Sequence, residues 1–405
     1  MVTYLLDWFA LLVRWVHVIT GIAWIGASFY FVWLDNHLQA PSGGERIDPG
    51  VAGELWAVHG GGFYRSQKYR VAPAVLPPTL HWFYWEAYST WLSGFVLLCL
   101  LYFLRAEAYL IDPGVAAWSK PAAIAIAMSS LAASWLVYDG LCRSPLGRHP
   151  RALATLLSLA LAAEAWGLCQ LFSGRGAFMI FGAALGTIMV ANVLFVIIPG
   201  QRELVRAKSQ GRDPDPTPGL RGKQRSVHNT YFTLPVLFVM ISNHYAMTYG
   251  ARYNWLVLIA ISFAGACIRA WFVARHKPAE RRGWATVLPA ALGVLTLAAV
   301  VVALAPLHQQ ELAARGAAPA VDPARVQLIV AQRCVPCHAQ SPTQAGFTAP
   351  PNGLVFETLD QVRAHLPEVQ QQLALRAMPL GNLTGMTDDE RATVLMWIGH
   401  GVLRR

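Results

Sequence analysis

Charge is scarce in this chain. Of its 405 residues only 13% are Asp, Glu, Lys or Arg, while 55% are hydrophobic. That balance excludes a set of soluble domains and points to a membrane. Acidic residues are the scarcer sign, 22 against 32 basic, which leaves a net charge of +10. The excess does not imply nucleic acid, because the basic residues fall in short loops between apolar runs and form no basic face. Cysteine is sparse as well. Of six, Cys99, Cys169 and Cys267 lie inside apolar runs and Cys142 at the end of another, so four read as packing and no disulfide framework is implied. No internal repeat or low-complexity tract is evident. The first apolar run lacks a basic region before it and a small-residue cleavage site after it, so it reads as an uncleaved span and not a signal peptide.

What is abundant is long apolar sequence. Runs near residues 8–34, 82–104, 121–141, 152–172, 177–198, 231–249, 254–274 and 285–305 are each long enough to cross a hydrocarbon core of roughly 30 Å. Eight spans are expected. With an outside amino terminus, the loops 35–80, 142–151, 199–230 and 275–284 are inside and carry eighteen Lys/Arg, against four in the outside loops. An even number of spans puts residues 306–405 on the outside, which in a bacterium is the periplasmic face of the inner membrane.

That last segment holds the most specific motif in the chain, Cys334-Val335-Pro336-Cys337-His338. Two thiols two residues apart, followed at once by an imidazole, are spaced for covalent c-type haem: Cys334 and Cys337 add to the vinyl groups and His338 faces the iron. A dithiol redox motif would need a thioredoxin-like βαβ context, and a zinc site a further Cys/His pair; neither is nearby. Met378, in Arg376-Ala377-Met378-Pro379, is the expected sixth ligand, with Met386 as competitor because a thioether is more often a core filler. Residues 307–321, small and without apolar period, read as a linker. Asp322-Pro323 should cap and open a helix leading to the haem motif, and Thr387-Asp388-Asp389-Glu390 is a capping-box pattern for a last helix. The expected architecture is all-α: a membrane domain over 1–306, a linker, and a small class I-like cytochrome c domain over 322–405. It places a one-electron carrier outside the membrane.

Polar residues inside apolar runs are functional candidates by default. His17 in the first run and His244 in the sixth could clamp a b-type haem, His17 lying about 13 Å below a helix start at Trp8. Each could equally bond a backbone carbonyl or a neighbouring helix. Arg14, one turn from His17, could pair with a haem propionate or snorkel to the interface. His81 and His228 sit at span ends, where they could hold a second haem, line a substrate site or meet water. The stretch from Glu54 to Tyr69 packs Gly60-Gly61-Gly62, rings, His59, Arg65 and Lys68 into a loop. Glycines would let backbone approach a ligand, while Phe63 and Tyr64 stack a flat anion and Arg65 and Lys68 hold its charge. An interfacial anchor is the alternative. Glu86, after the rings of Trp82 to Trp85, is a candidate proton acceptor.

The first run, Arg14-Trp15-Val16-His17 through Gly21-Ile22-Ala23-Trp24-Ile25-Gly26 to Phe31, taken with His59-Gly60-Gly61-Gly62-Phe63-Tyr64 and the cytochrome-like tail, resembles the bacterial membrane-bound urate hydroxylases. The resemblance implies oxidation of urate to 5-hydroxyisourate, with electrons passing through haem to the fused cytochrome and on to a respiratory oxidase or soluble cytochrome. His59, His81 or Glu86 would accept a proton as water adds to the purine. Assembly with further copies of the chain is left open. Spacing alone gives only a membrane electron-transfer protein, and the competing reading is a quinol-to-cytochrome c subunit of a respiratory complex that acts on no purine.

Overall fold

The computed structural model describes residues 2–41, 50–275, 283–305, 321–345 and 347–402. Helix dominates. α1 is Val2–His37, α2 Trp85–Leu98, α3 Ala106–Tyr109, α4 Lys120–Arg143, α5 Pro150–Leu171 and α6 Gly174–Asn192. They are followed by α7 Ile198–Ser209, α8 Thr217–Ser242, α9 Ala246–Tyr249, α10 Asn254–Ala274 and α11 Trp284–Ala303. The starts of several helices are written locally. The side chains of Ser119 and Ser173 accept from Ala122 and Gly176 N–H groups, and Pro121 and Pro150 occupy first-turn positions where a missing N–H is harmless.

Among the described residues, seven helices are long and apolar enough to cross a membrane: Tyr4–His37, Trp85–Phe103, Lys120–Arg143, Pro150–Leu171, Gly174–Ser209, Asn254–Ala274 and Thr286–Ala303. The expected sixth span is different. Its helix, α8, starts fourteen residues earlier than the apolar run, at Thr217, carries Arg221, Lys223 and Arg225 in its first half, and ends at Ser242, short of residue 249. It packs against α6, α7 and α10. α6 is the centre of the bundle, burying Phe178, Ile180, Ala184, Leu185 and Ile188. A Cβ on Gly182 would sit 2.5 Å from Val239 Cγ1, so the bare glycine is what lets α6 and α8 approach. α1 stands at the edge, packing on α2 and leaving Trp15, Ile19 and Ile22 exposed, as a lipid-facing helix does.

The all-α expectation needs correction at residues 51–69. β1 (Val51–His59) and β2 (Gly62–Tyr69) form an antiparallel hairpin, pairing Trp56 with Arg65 and His59 with Gly62. Gly60 and Gly61 take φ of +59° and +82°, the paired left-handed geometry of a two-residue hairpin turn. Those glycines therefore turn the chain at the tip of the hairpin. The signal for this in the sequence is the Gly-Gly pair itself, set between two strand-like segments.

The tail folds on its own core. α12 (Pro323–Arg333), α13 (Val335–His338), α14 (Leu359–Arg363), α15 (Leu366–Ala374) and α16 (Asp388–Val402) enclose Val326, Ile329, Val330, Val362, Leu366, Val394 and Ile398. Asp322 caps α12 by accepting from Ala324 N–H, and Thr387 and Glu390 exchange the two bonds of a capping box. The tail rests on the end of the bundle where α2 finishes and α10 begins. Backbone meets backbone there: a Cβ on Gly381 would lie 2.5 Å from Ala108 O, and one on Gly250 would overlap Leu375 O outright.

Candidate functional site

Two thiols and an imidazole stand together at the short helix α13. The turn Cys334 to His338 is helical, with Pro336 in its first turn. His338 is 8% exposed, and its Nδ1 donates to Leu354 O at 2.9 Å, which fixes the ring and leaves Nε2 as the coordinating nitrogen. Cys334 and Cys337 form no disulfide. Burial, with Cys337 beside it, pushes the Cys334 thiol up to about 11, and burial raises Cys337 too. A dithiol reductant needs the opposite shift. Met386 is 4% exposed and belongs to the tail's core, whereas Met378 is only half-buried and stands outside that core, its carbonyl held by Arg391 Nη1 at 2.6 Å. Arg391 is itself 8% exposed with its Nε unpartnered. A buried guanidinium nitrogen without an acceptor, next to the Met378 loop, suits a group that brings carboxylates. The donor set would fit a c-type haem: Cys334 and Cys337 would hold it by thioether bonds, His338 would bind its iron, and Met378 and Arg391 are the thioether and the cation that would serve it.

The histidine pair expected to clamp a second haem is not brought together. His17 points into α2: its Nδ1 lies 3.0 Å from Thr90 O and 3.1 Å from Ser93 Oγ, and a Cβ on Gly94 would touch its ring at 2.8 Å. His244 sits in the exposed turn after α8. Its neighbour Asn243 accepts from Tyr102 Oη at 2.7 Å, a residue about two turns beyond Gly94 towards the end of the same helix and the π-helical turn that continues it. The apolar run concealed a helix end, and that end carried His244 out of register with His17. Arg14 is exposed. His17 and His244 therefore make separate contacts, one within the α1–α2 pair and one at the end of α8.

The residues expected at the substrate loop occupy the hairpin. His59 is exposed at its tip, Phe63 is 79% and Tyr64 55% exposed. Arg65 is committed to Glu54, which is 3% exposed, through bonds of 2.9 Å from Nε and Nη2, and stacks over Trp56. Lys68 reaches Asp35 at 2.5 Å and ties the hairpin to the last turn of α1. His81 is exposed, edge-on to Phe83, and Glu86 lies in the first turn of α2. No hydrogen bond joins His59, His81 and Glu86 among the described residues.

A buried polar cluster appears where sequence reading saw only a lone histidine. Tyr138 Oη lies 2.7 Å from His228 Nδ1 and accepts from Asn192 Nδ2 at 3.0 Å; the same amide nitrogen reaches Asn229 Oδ1 at 2.8 Å. Arg225, 3% exposed, bonds Asp139 at 2.7 Å and stands over the Tyr138 ring. One turn along α4, Ser134 donates to Glu164 in a cavity of ≈ 190 Å³ between α4, α5 and α6. Tyr138, Asn192 and Asn229 belong to three different helices, so nothing in their local spacing announces them.

Together these features define a polytopic helical membrane protein with a small helical tail docked on one end of its bundle. The chain belongs to the family described as urate oxidase N-terminal, which matches residues 3–304 and so covers the bundle but not the tail. No curated protein and no solved structure matches the chain.

Proposed function

We propose that the protein oxidises urate to 5-hydroxyisourate at the bacterial inner membrane and hands the electrons to a cytochrome c formed by its own tail. Membership of the urate oxidase N-terminal family makes the bundle urate-related. The observation that carries the electron route is His338, whose Nδ1 is anchored on Leu354 O within the Cys-X-X-Cys-His turn. The reaction takes urate and water to 5-hydroxyisourate, two protons and two electrons. Haem on Cys334 and Cys337 supplies a one-electron iron couple. The domain limits 1–306, 307–321 and 322–405, an eighth crossing by α8 and a periplasmic tail complete the reading. Acceptance by a respiratory oxidase or a soluble cytochrome would close the cycle without peroxide.

The chain's own residues have definable tasks. Leu354 O orients the His338 ring, Arg391 fixes the Met378 loop through that residue's carbonyl, and the Gly250 and Gly381 contacts hold the tail against the bundle. Anaerobic addition of urate to the purified protein should reduce the tail haem, and Cys337→Ala should abolish external cytochrome reduction while urate binding persists. Reduction by a quinol with no response to urate would instead make the protein a quinol-to-cytochrome c subunit.

A further inference from the structure

Arg269 carries a charge that the bundle does not neutralise. It lies five residues before the end of α10, a helix long and apolar enough to cross a membrane, and is 7% exposed. Among the described residues it makes no ion pair, and its Nε and Nη2 are closed to solvent without a hydrogen-bond partner. A cation in such a place is costly unless something pairs with it. What faces it is a ring: Cζ stands 3.8 Å from the centroid of Phe29. Arg269 lines a cavity of ≈ 270 Å³ with Phe29, Trp33 and Asn36 of α1, Phe272 of α10, and Arg275 just past its end.

The two orphaned nitrogens are on the same edge of the guanidinium, so they present two parallel N–H bonds to a pair of adjacent acceptors. Rings on both helices offer flat apolar faces. Arg275 adds a second cation, and Asn36 an amide that can donate or accept. That set asks for a planar, π-rich anion with neighbouring oxygen and nitrogen acceptors. Urate at neutral pH is one: it has lost a ring proton, and the bare nitrogen is flanked by a carbonyl oxygen. A lipid phosphate shares the charge but is tetrahedral and makes no use of the rings.

We propose that this cavity is the urate site, with Arg269 gripping the purine anion through its Nε/Nη2 edge while Phe29, Trp33 and Phe272 flank the ring plane. The assignment rests on reading the bundle as urate-oxidising. Phe29 stacks on the face of the guanidinium while its Nε/Nη2 edge is closed to solvent, so the purine has to part the packing along that edge to bring the missing negative charge to it. The cavity lies towards the end of the bundle where the hairpin is tied to α1 by Lys68 and Asp35.

The test is equilibrium binding of radiolabelled urate to the full-length protein in nanodiscs, with urate-driven and ascorbate-driven haem reduction measured alongside. Arg269→Gln should weaken urate binding by about 30-fold or more, the scale for removing one partner of a buried charge pair, and leave ascorbate-driven reduction unchanged. Arg269→Lys keeps the charge but loses the fork and should still bind about tenfold more weakly. Asn36→Ala, which leaves the buried charge in place, should weaken binding several-fold and keeps the test alive if Arg269 variants fail to fold. Wild-type affinity in both Arg269→Gln and Asn36→Ala would overturn the site while leaving urate oxidation intact. Loss of retained anionic lipid in Arg269→Gln with unchanged urate affinity would also overturn it, assigning the arginine to a headgroup. Absence of both urate binding and urate-driven reduction in the unaltered protein would remove the function itself.

Discussion

Glu390 serves two neighbours at the start of the last helix. Its carboxylate takes both Nε and Nη2 of Arg333 and also accepts from Thr387 N–H. The Arg333 hydrogen bonds hold its pKa below the usual 4.5. Because the folded value is depressed, the stabilisation is present above about pH 4.5 and disappears as pH falls through the folded pKa. Glu390→Gln should therefore lower tail stability by about 1 kcal/mol at neutral pH and flatten the acid limb of a melting-temperature profile followed by protease resistance of the tail. An unchanged acid limb would show that the pair contributes nothing. The cap at Thr387 and Glu390 is legible in the sequence because its partners lie three positions apart. The Cys334 to His338 turn is legible for the same reason. Arg269 is legible only in part: a charge inside the apolar run 254–274 marks it as a candidate, but its lack of a partner leaves no trace in spacing.

At the scale of elements, length and apolarity are legible and the places where helices stop are hidden. The bundle's long helices fall where apolar runs fall, but α8 ends at Ser242 and the Gly60-Gly61 turn makes a hairpin. A window of hydrophobicity averages across both events. The α1 and α2 pair offers a test of packing. Gly94→Ala places a methyl 2.8 Å from His17 Cε1, which should displace the ring from Thr90 O and destabilise the detergent-solubilised protein by about 1–3 kcal/mol. Combining it with His17→Ala should recover most of the loss, a non-additivity that marks direct contact. In the polar cluster, Asn192→Ala removes the donor to both Tyr138 and Asn229 and should cost about 1–3 kcal/mol, read as a lower unfolding temperature.

For the whole molecule, the decisive contact is the one between tail and bundle. Burial raises the carboxyl of Asp112, which also lies in the field of Arg376 and Arg391 of the tail. Gly250 and Gly381 bring the two backbones together. Gly250→Val cannot be accommodated without moving Leu375, so urate-driven haem reduction should slow by about tenfold or more, the effect of about 1.4 kcal/mol on a barrier, while ascorbate still reduces the haem at its normal rate. Hydrogen exchange in Ala106 to Tyr109 should rise in parallel. Equal rates for both reductants would mean that the docking has no part in electron delivery. This arrangement is beyond sequence reading because Gly250 meets Leu375 and Gly381 meets Ala108 across more than 100 residues of chain, and neither glycine sits in a recognisable motif.

The tail meets the bundle near the first residue of α10, and Arg269 stands fifteen residues along that helix, about 22 Å away at 1.5 Å per residue. If the purine sits there and the tail receives its electrons, as proposed, each oxidation would carry negative charge across most of the hydrocarbon layer, and catalysis would also be an electric current. An electron crossing the full field gains or loses about 2.3 kcal/mol per 100 mV. In sealed vesicles the enzyme should run faster under one polarity of imposed voltage and slower under the other, and an ionophore that short-circuits the vesicle should erase the difference.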